Sequence, residues 1–357
     1  MQFSGLTKPP IGVVFDSALG DGIDDVLALA LLYALEGKSE TRVVSTSTTK
    51  STLRSAMFAE ALTKFLMGPP PPRPAPGVFA GFQRPVPAIG MADNGKLAQD
   101  TPVLRAVLDR KNDQGEPLYP RAITRLNETA DPAALIRNAL TAQNDENCLV
   151  LLAGPATNLA AMMALRGSME LIRAKVKVLM LAWGSYPEGA ADPNVKADLA
   201  AARQLLTAWP TTVVAVGAEL GTAVPFPGES FGKDFAWSTS HPILDACLAY
   251  HAQPYDVPAS ALAAALYSIR PDSGFTTSAP GTISVLDDGR LRFAPGAGGK
   301  HSYLLADPAR KAEIQRTYVE LVSAKPLPRP MRRRIPEKKE EVPPASIKPP
   351  EPRTGPL

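Results

Sequence analysis

The chain has 357 residues, enough for one large α/β domain or two ordinary ones, and its 45% apolar residues can build a substantial core. It contains no run of about 18 apolar residues, which argues against a membrane span, and its N-terminus lacks the charged and apolar regions of a signal peptide. The formal net charge is +3, but the last 32 residues carry eight Lys or Arg against four Asp or Glu, which leaves about −1 for residues 1–325. We therefore expect no nucleic-acid partner and no membrane partner for the folded part.

The two cysteines, Cys148 and Cys247, both lie in apolar surroundings. Such cysteines are typical of small buried side chains rather than of a disulfide framework, a metal pair or a nucleophile. A reducing, cytoplasmic location is therefore expected.

Strands and helices alternate along most of the chain. Short apolar runs predict strands at Ile11–Phe15, Thr41–Ser47, Asn147–Ala153, Lys175–Ala182 and Thr211–Gly217. Apolar periodicity and start signals predict helices at Val26–Leu35, Ser51–Met67, Asp131–Ala142, after Gly154-Pro155, and at Val195–Trp209, His241–His251 and Ala259–Ser268. Near the end, TISVLDDGRLRFAP predicts a hairpin. The pattern predicts an α/β fold, with an open, mostly parallel sheet, helices on both faces and a small antiparallel hairpin near the end.

We expect one domain, residues 1–325, followed by a tail, residues 326–357. The tail holds ten prolines and almost no apolar periodicity, so it cannot bury enough surface to offset the entropy of ordering. It is therefore predicted to be disordered. A second proline cluster, Pro69–Pro76, predicts an extended surface connector.

Four aspartates, Asp16, Asp21, Asp24 and Asp25, follow the first predicted strand and precede the first predicted helix. In an open α/β sheet this turn lies at the carboxyl end of a strand, where ligands bind. Crowded carboxylates repel one another, so such a cluster needs a cation, protons or a polyhydroxy ligand. The alternative is that one aspartate caps the helix and the others are solvated.

Three further polar loops follow predicted buried strands or open a helix: Gly154–Asn158, Gly184–Asp198 and Tyr255–Pro258. In a parallel sheet these loops converge on the same edge as the aspartate cluster. Together they are rich in carboxylate, amide and carbonyl oxygens and poor in thiol and imidazole. This chemistry favours a hard cation such as Ca²⁺ or Mg²⁺, with sugar hydroxyls bound by Asp and Asn, and does not favour zinc.

The order of these motifs resembles the inosine–uridine-preferring nucleoside hydrolase family. The resemblance rests on DSALGDGIDD, GPATNLA, WGSYPEG followed by DPNVKAD, YDVPASALAAALY and FTTSAPGTISVLDDG, and it runs from about Ile11 to Phe293. It implies an open α/β fold, usually oligomeric, that hydrolyses the N-glycosidic bond of ribonucleosides around a bound Ca²⁺. A small-molecule nucleoside or related ribosyl compound is the implied substrate.

The resemblance also implies roles for individual residues. The implied calcium ligands are Asp25, Asp256 and the backbone carbonyl of Ala153. The implied ribose contacts are Asp24, Asn194 and Asp192. Two further residues stand near this set: Glu188 is a candidate ribose contact or a solvated loop residue, and Tyr255 is a candidate base-stacking residue or a packing residue.

The sequence departs from the family motif at Ala18, where the family has an aspartate that both touches calcium and activates the attacking water. A lost general base typically lowers the rate on the order of 10²–10⁴-fold. Asp21 is the first candidate to replace it, as a calcium ligand and as the catalytic base, because Gly20 and Gly22 free its loop, and Asp16 is the second. His251, near Asp256, is a further candidate acid, although a structural role is the stronger expectation.

Two functional hypotheses therefore stand. In the first, the protein is a calcium-dependent hydrolase of ribonucleosides or a related ribosyl compound, with a place in purine or pyrimidine salvage. In the second, it is a catalytically impaired relative that binds a sugar or nucleoside without turnover.

Overall fold

The computed structural model describes residues 9–68, 86–93 and 98–327. Its strands are β1 (Ile11–Ser17), β2 (Thr41–Thr48), β3 (Ile89–Met91), β4 (Cys148–Ala153), β5 (Val176–Leu181), β6 (Thr212–Ala215), β7 (Phe275–Thr277), β8 (Gly281–Val285), β9 (Leu291–Pro295) and β10 (His301–Ala306). Its α-helices are α1 (Asp24–Gly37), α2 (Leu53–Leu66), α3 (Pro102–Leu108), α4 (Pro132–Thr141), α5 (Thr157–Ala164), α6 (Ser168–Lys175), α7 (Pro193–Ala197), α8 (Leu199–Ala208), α9 (Ala218–Ala223), α10 (Ser230–Lys233), α11 (Pro242–Tyr250), α12 (Ser260–Ile269) and α13 (Lys311–Val322).

The strands form one mixed sheet in the order β3-β2-β1-β4-β5-β6-β10-β8-β9, with β7 paired to β10. Pairs from β3 through β6 are parallel, and β10 also runs parallel to β6. Antiparallel pairing is confined to the last strands, where β8 and β9 form the predicted hairpin. The predicted fold class is therefore confirmed.

The central strands are apolar because helices cover both of their faces. Val13 and Phe15 of β1 pack into one core cluster, whereas Val14 between them packs into the other. Successive strand side chains point to opposite faces, so this alternation places one hydrophobic core on each side of the sheet. Because β2 and β4 both pair in parallel with β1, the carboxyl ends of these three strands lie side by side.

Several local predictions need adjustment. The predicted helix Val195–Trp209 is two helices, α7 and α8, because the Asp198 side chain accepts a hydrogen bond from Ala201 N at 3.1 Å and starts a new helix. Strand β10, which was not predicted, separates β6 from the hairpin.

Three further predictions concern the cysteines, the proline-rich segments and membrane-spanning helices. Cys148 and Cys247 are buried free thiols, as predicted. Pro69–Pro76 and nearly all of the predicted tail lie outside the described residues. Within the described ranges, no helix has the length and apolar character needed to cross a membrane.

Candidate functional site

The loops that follow β1, β2 and β4 touch one another. Ala18 N donates to the Ala153 carbonyl at 3.3 Å, and Thr49 N donates to the Ser17 carbonyl at 2.9 Å. A Cβ at Gly154 would lie 2.7 Å from Ala18 N and 2.4 Å from Thr49 Oγ1, so this close approach requires glycine. The edge at which the sequence predicts a site is therefore tightly assembled from three strand ends.

Asp16, the last but one residue of β1, is fully buried. Its Oδ1 accepts hydrogen bonds from Ser47 Oγ at 2.7 Å and Asn158 Nδ2 at 2.8 Å. Its Oδ2 is buried with no hydrogen-bond partner among the described residues. Burial raises the pKa of Asp16 to about 7, and the two hydrogen bonds only partly oppose this.

Asp24 and Asp25 open α1 and lie close to each other. Asp24 accepts hydrogen bonds from Ala261 N at 2.6 Å and Leu262 N at 3.0 Å, in the first turn of α12. Burial raises the pKa of Asp24 to about 7. Burial, and next the charge of Asp24, raise the pKa of Asp25 to about 7 as well. Crowded carboxylates become tolerable with a cation, protons or a polyhydroxy ligand. With pKa values of about 7, these carboxyls can hold protons near neutral pH.

Asp21 differs from these three inner carboxyls, Asp16, Asp24 and Asp25. Its side chain is 57% exposed and forms an ion pair with Lys50, whose own side chain is only 6% exposed. Asp21 N donates to the Ala18 carbonyl at 3.1 Å, and Gly20 beside it has φ +101°, a conformation that favours glycine. The loop therefore turns Asp21 towards Lys50 and solvent, although its charge still contributes to the raised pKa of Asp25.

A cavity of about 340 Å³ opens at this edge. Its wall includes Ala18, Asp21, Thr49, Lys50, Thr157 and Asn194. The cavity thus combines the displaced aspartate, a lysine, hydroxyls and an amide, and Ala18 contributes a methyl group where the family motif has a carboxylate.

Asp192 supports this wall from outside the cavity. Its Oδ1 accepts from Asn194 N at 2.8 Å and Val195 N at 3.2 Å, and its Oδ2 accepts from Gly184 N at 2.7 Å. Burial raises the pKa of Asp192, and these three hydrogen bonds oppose the rise. In this arrangement Asp192 caps α7 and positions Asn194 on the cavity wall.

Three other predicted site residues lie away from this cavity. Glu188 pairs with Arg290 at 3.1 Å and Arg292 at 3.4 Å on the hairpin side of the sheet. Tyr255 stacks on the His251 ring with centroids 4.0 Å apart. The neighbouring Asp256 is exposed, and its Oδ1 accepts from Gly228 N at 2.8 Å.

The residues implied as calcium ligands do not form one shell of oxygens. The Ala153 carbonyl accepts from Ala18 N, Asp25 Oδ1 accepts from Val26 N at 3.0 Å, and Asp256 Oδ1 accepts from Gly228 N. In the part of the chain that the structure describes, no group of three or more His, Cys, Asp or Glu side chains could hold a metal ion. In this conformation the donor set is therefore not assembled around one calcium ion.

Sequence reasoning missed three residues at this edge. Lys50 and Thr49 lie directly after β2 and line the cavity, and Asn158 binds the Asp16 carboxylate instead of capping its own helix. The signal for the first two was available, since the polar run STSTTK ends a buried strand at the predicted ligand edge. The role of Asn158 depends on a contact 142 residues away in sequence, which no local pattern reveals.

A sequence profile described as inosine-uridine preferring nucleoside hydrolase matches residues 13–303. No curated protein matches the sequence. Similar solved structures include the plant nucleoside hydrolase PpNRh1, with 18% identity and a TM-score of 0.60 over 88% of this chain and 100% of that chain. They also include a purine-preferring ribonucleoside hydrolase from Gardnerella vaginalis, with 16% identity and a TM-score of 0.60 over 87% and 99% of the two chains.

A third similar structure is the type III effector protein XopQ, solved in complex with adenosine diphosphate ribose. It has 11% identity and a TM-score of 0.60 over 90% of this chain and 95% of that chain. At these identities the structural likenesses show a shared fold, whereas the profile match covers most of the sequence. The resemblance in the motifs is thus confirmed, and the chain belongs to the inosine–uridine-preferring nucleoside hydrolase family.

Proposed function

We propose that the protein binds a ribosyl compound, a nucleoside or a close relative of one, in the cavity beside Ala18 and that binding without rapid hydrolysis is its activity. The observation that carries this proposal is the pairing of Asp21 with Lys50 next to Ala18. The family aspartate is missing at residue 18, and the first candidate to replace it is neutralised by a lysine. Neither residue 18 nor residue 21 therefore offers a free carboxylate to activate a water.

The remaining cavity wall suits sugar recognition. Asn194, Thr49 and Thr157 line the cavity. The Asn194 amide can bind a sugar hydroxyl, and the Thr157 hydroxyl, which donates to Asp198 Oδ2 at 2.8 Å, can accept a hydrogen bond from one. Asp192 fixes the start of α7 and thereby the position of Asn194. The structure of XopQ with adenosine diphosphate ribose supports the idea that this fold accommodates ribosyl ligands.

A second candidate function, calcium-dependent hydrolysis of the N-glycosidic bond, is favoured by Asp16. The family is generally metal-dependent, and the buried Oδ2 of Asp16 has no hydrogen-bond partner among the described residues. An oxygen of this kind could serve a cation or a water. The ligands for calcium in this proposal are Asp25, Asp256 and the Ala153 carbonyl, with Asp16 or Asp21 completing the set, and they would need to move together.

The two candidates are separated by measuring binding and turnover on the same protein. Isothermal calorimetry with inosine, uridine and ribose, with and without Ca²⁺, should show saturable binding that does not require the cation. Base release measured by chromatography should remain at the buffer rate. Calcium binding together with rapid base release would favour the second candidate, and no binding of any nucleoside or sugar would overturn both.

Restoring the family aspartate sharpens this comparison. We expect Ala18→Asp to leave base release at the background rate, because the new carboxylate lies beside Lys50 and lacks the other metal ligands. A gain on the order of 10²–10⁴-fold would instead show an intact hydrolase that lacks only its general base. Ala197→Asp, which adds an acid at an exposed position of the same cavity wall, controls for the effect of an extra carboxylate there.

A further inference from the structure

We infer that the cavity recognises a ribosyl compound that carries an anionic group of the phosphate type, and that Lys50 is the countercharge for that group. In the ligand-free protein Asp21 occupies the position of the anion. This inference rests on the proposed function, because it names the chemical class of the ligand that the same cavity binds.

Lys50 is an unusual cavity residue because its ammonium group is removed from bulk solvent. Its side chain is 6% exposed and extends along the cavity wall, where Nζ pairs with Asp21 and lies 3.4 Å from the Gln99 carbonyl. A lysine ammonium is a strongly hydrated point charge, so burying it is unfavourable without a compensating anion. A neutral nucleoside would not supply that compensation, whereas a phosphate group would.

Two helices begin at the cavity and add partial positive charge. Helices α2 and α5 start beside wall residues Ser51 and Thr157, and the N-cap of α2, Thr52, makes no side-chain capping hydrogen bond. At α5 the Asp198 carboxylate accepts from Thr157 Oγ1 at 2.8 Å and offsets part of the positive charge, so α2 is the stronger contributor. The first N–H groups of a helix attract anions, above all when no side chain satisfies them.

A separate observation points to a missing ligand group at the same place. Thr49 lines the cavity and is 6% exposed, yet its Oγ1 has no hydrogen-bond partner among the described residues. Buried hydroxyls are normally paired. Because Oγ1 itself is shielded from the cavity, the Thr49 side chain would have to rotate about χ1 to donate a hydrogen bond to a phosphate oxygen beside Lys50.

Asp21 has the properties expected of a carboxylate that an anionic ligand displaces from Lys50. It is 57% exposed on a loop between Gly20 and Gly22, so it can leave Lys50 without disturbing the core. An exposed ion-pair partner contributes little to stability. The two residues should therefore have opposite effects: loss of Lys50 weakens anion binding, and loss of the Asp21 charge strengthens it.

The experiment compares ribose, ribose 5-phosphate and inorganic phosphate by isothermal calorimetry with the full chain. We expect ribose 5-phosphate to bind at least about tenfold more tightly than ribose, as one charge-assisted interaction can provide. We call the affinity for ribose 5-phosphate divided by the affinity for ribose the affinity ratio. In Lys50→Met the affinity ratio should fall to about one, and in Lys50→Arg it should largely persist. In Asp21→Asn it should rise about threefold. Raising the salt concentration should weaken binding of ribose 5-phosphate more than binding of ribose.

The pair of Lys175 with Asp145 provides a matched control, because it joins a 21% exposed lysine to a 75% exposed aspartate elsewhere on the molecule. Lys175→Met and Asp145→Asn should leave the ratio unchanged. Thermal unfolding of every variant shows whether it is folded, and Lys50→Arg keeps the test informative if Lys50→Met does not fold.

The outcomes separate this inference from the proposed function. Equal affinity for both sugars in the wild type, or a ratio unaffected by Lys50→Met, overturns the inference while ribosyl binding stands. Phosphate binding that depends on Lys50 without any binding of ribose or ribose 5-phosphate supports the anion site and overturns the ribosyl function. No binding of any of the three probes overturns both.

Discussion

The inner carboxyls and the cavity wall use the same residue type in opposite ways. Asp16 and Asp24 accept hydrogen bonds from the interior, from side chains in one case and from the start of α12 in the other. Asp21 stands among them in sequence but is exposed and paired with a lysine at the cavity. Burial and partners therefore separate acids that hold the fold from the acid that faces the cavity, although all belong to one motif.

The largest effect that should distinguish the inner carboxyls from the cavity wall is the pH dependence of the free energy of unfolding. The pKa of Asp16 is about 7 in the folded chain against the usual 3.8, so the folded state holds a proton that the unfolded state has lost between these values. Its contribution is fully present below about pH 4 and is lost as pH rises through 7. The ligand-free protein should lose on the order of 4 kcal/mol of unfolding free energy over this range from Asp16 alone.

This prediction is checked by urea denaturation at intervals from pH 4.5 to 8. Asp16→Asn should flatten the slope, because its amide does not titrate, and the exposed Asp145→Asn should leave the slope as it is in the wild type. Asp24 and Asp25 act in the same direction, so part of the slope should remain in Asp16→Asn. A wild-type protein that is more stable at pH 8 than at pH 5 would contradict the assignment.

A smaller effect should follow from removing the Asp24 side chain. Asp24 accepts two backbone hydrogen bonds at the start of α12, although the family resemblance implies a ribose contact at this position. We expect Asp24→Ala to lower the free energy of unfolding by about 2 kcal/mol, through the loss of a cap and of partners for buried N–H groups. Urea denaturation at neutral pH measures the change.

Asp131→Ala is the matched control for this prediction. Asp131 caps α4 by accepting from Ala134 N at 2.7 Å, but it does so at an exposed helix end. Its loss should lower stability by about 1 kcal/mol. If Asp24→Ala instead leaves stability unchanged and abolishes ribose binding, Asp24 belongs to the ligand site rather than to the scaffold.

The sequence predicts the sheet well because the central strands are short apolar runs at regular intervals between helices. In β1, Val13 and Phe15 pack on one face of the sheet and Val14 packs on the other, because helices cover both faces. Strand β10 was missed because HSYLLA mixes polar and apolar residues at the border between the parallel and antiparallel parts. Its place depends on partners far away in sequence, which local patterns do not specify.

The candidate site is predicted in location but only partly in detail. The aspartate motif and the GPATN loop do lie against each other, because both follow adjacent parallel strands. Which aspartate points inward was not predictable, since that depends on the positive φ at Gly20 and on Lys50. The capping role of Asp192 was hidden for a similar reason, because a DPN sequence is equally consistent with a helix start and with a sugar contact.

The smallest effect should come from the cavity wall, where neutralising Asp21 removes an exposed partner of Lys50. Asp21 is 57% exposed and Lys50 lines a cavity that is open to water, so water can hydrate the ammonium group when Asp21 is neutralised; Asp21→Asn should therefore change the free energy of unfolding by less than about 1 kcal/mol. Asp145→Asn breaks the ion pair with Lys175, whose side chain is 21% exposed, and urea denaturation should show a similarly small change in its free energy of unfolding. A loss of about 3 kcal/mol in Asp21→Asn alone would mean that Lys50 is left as an uncompensated buried charge. Asp21 would then be part of the scaffold, and the contrast between inner carboxyls and cavity wall would fail at the residue on which it most depends.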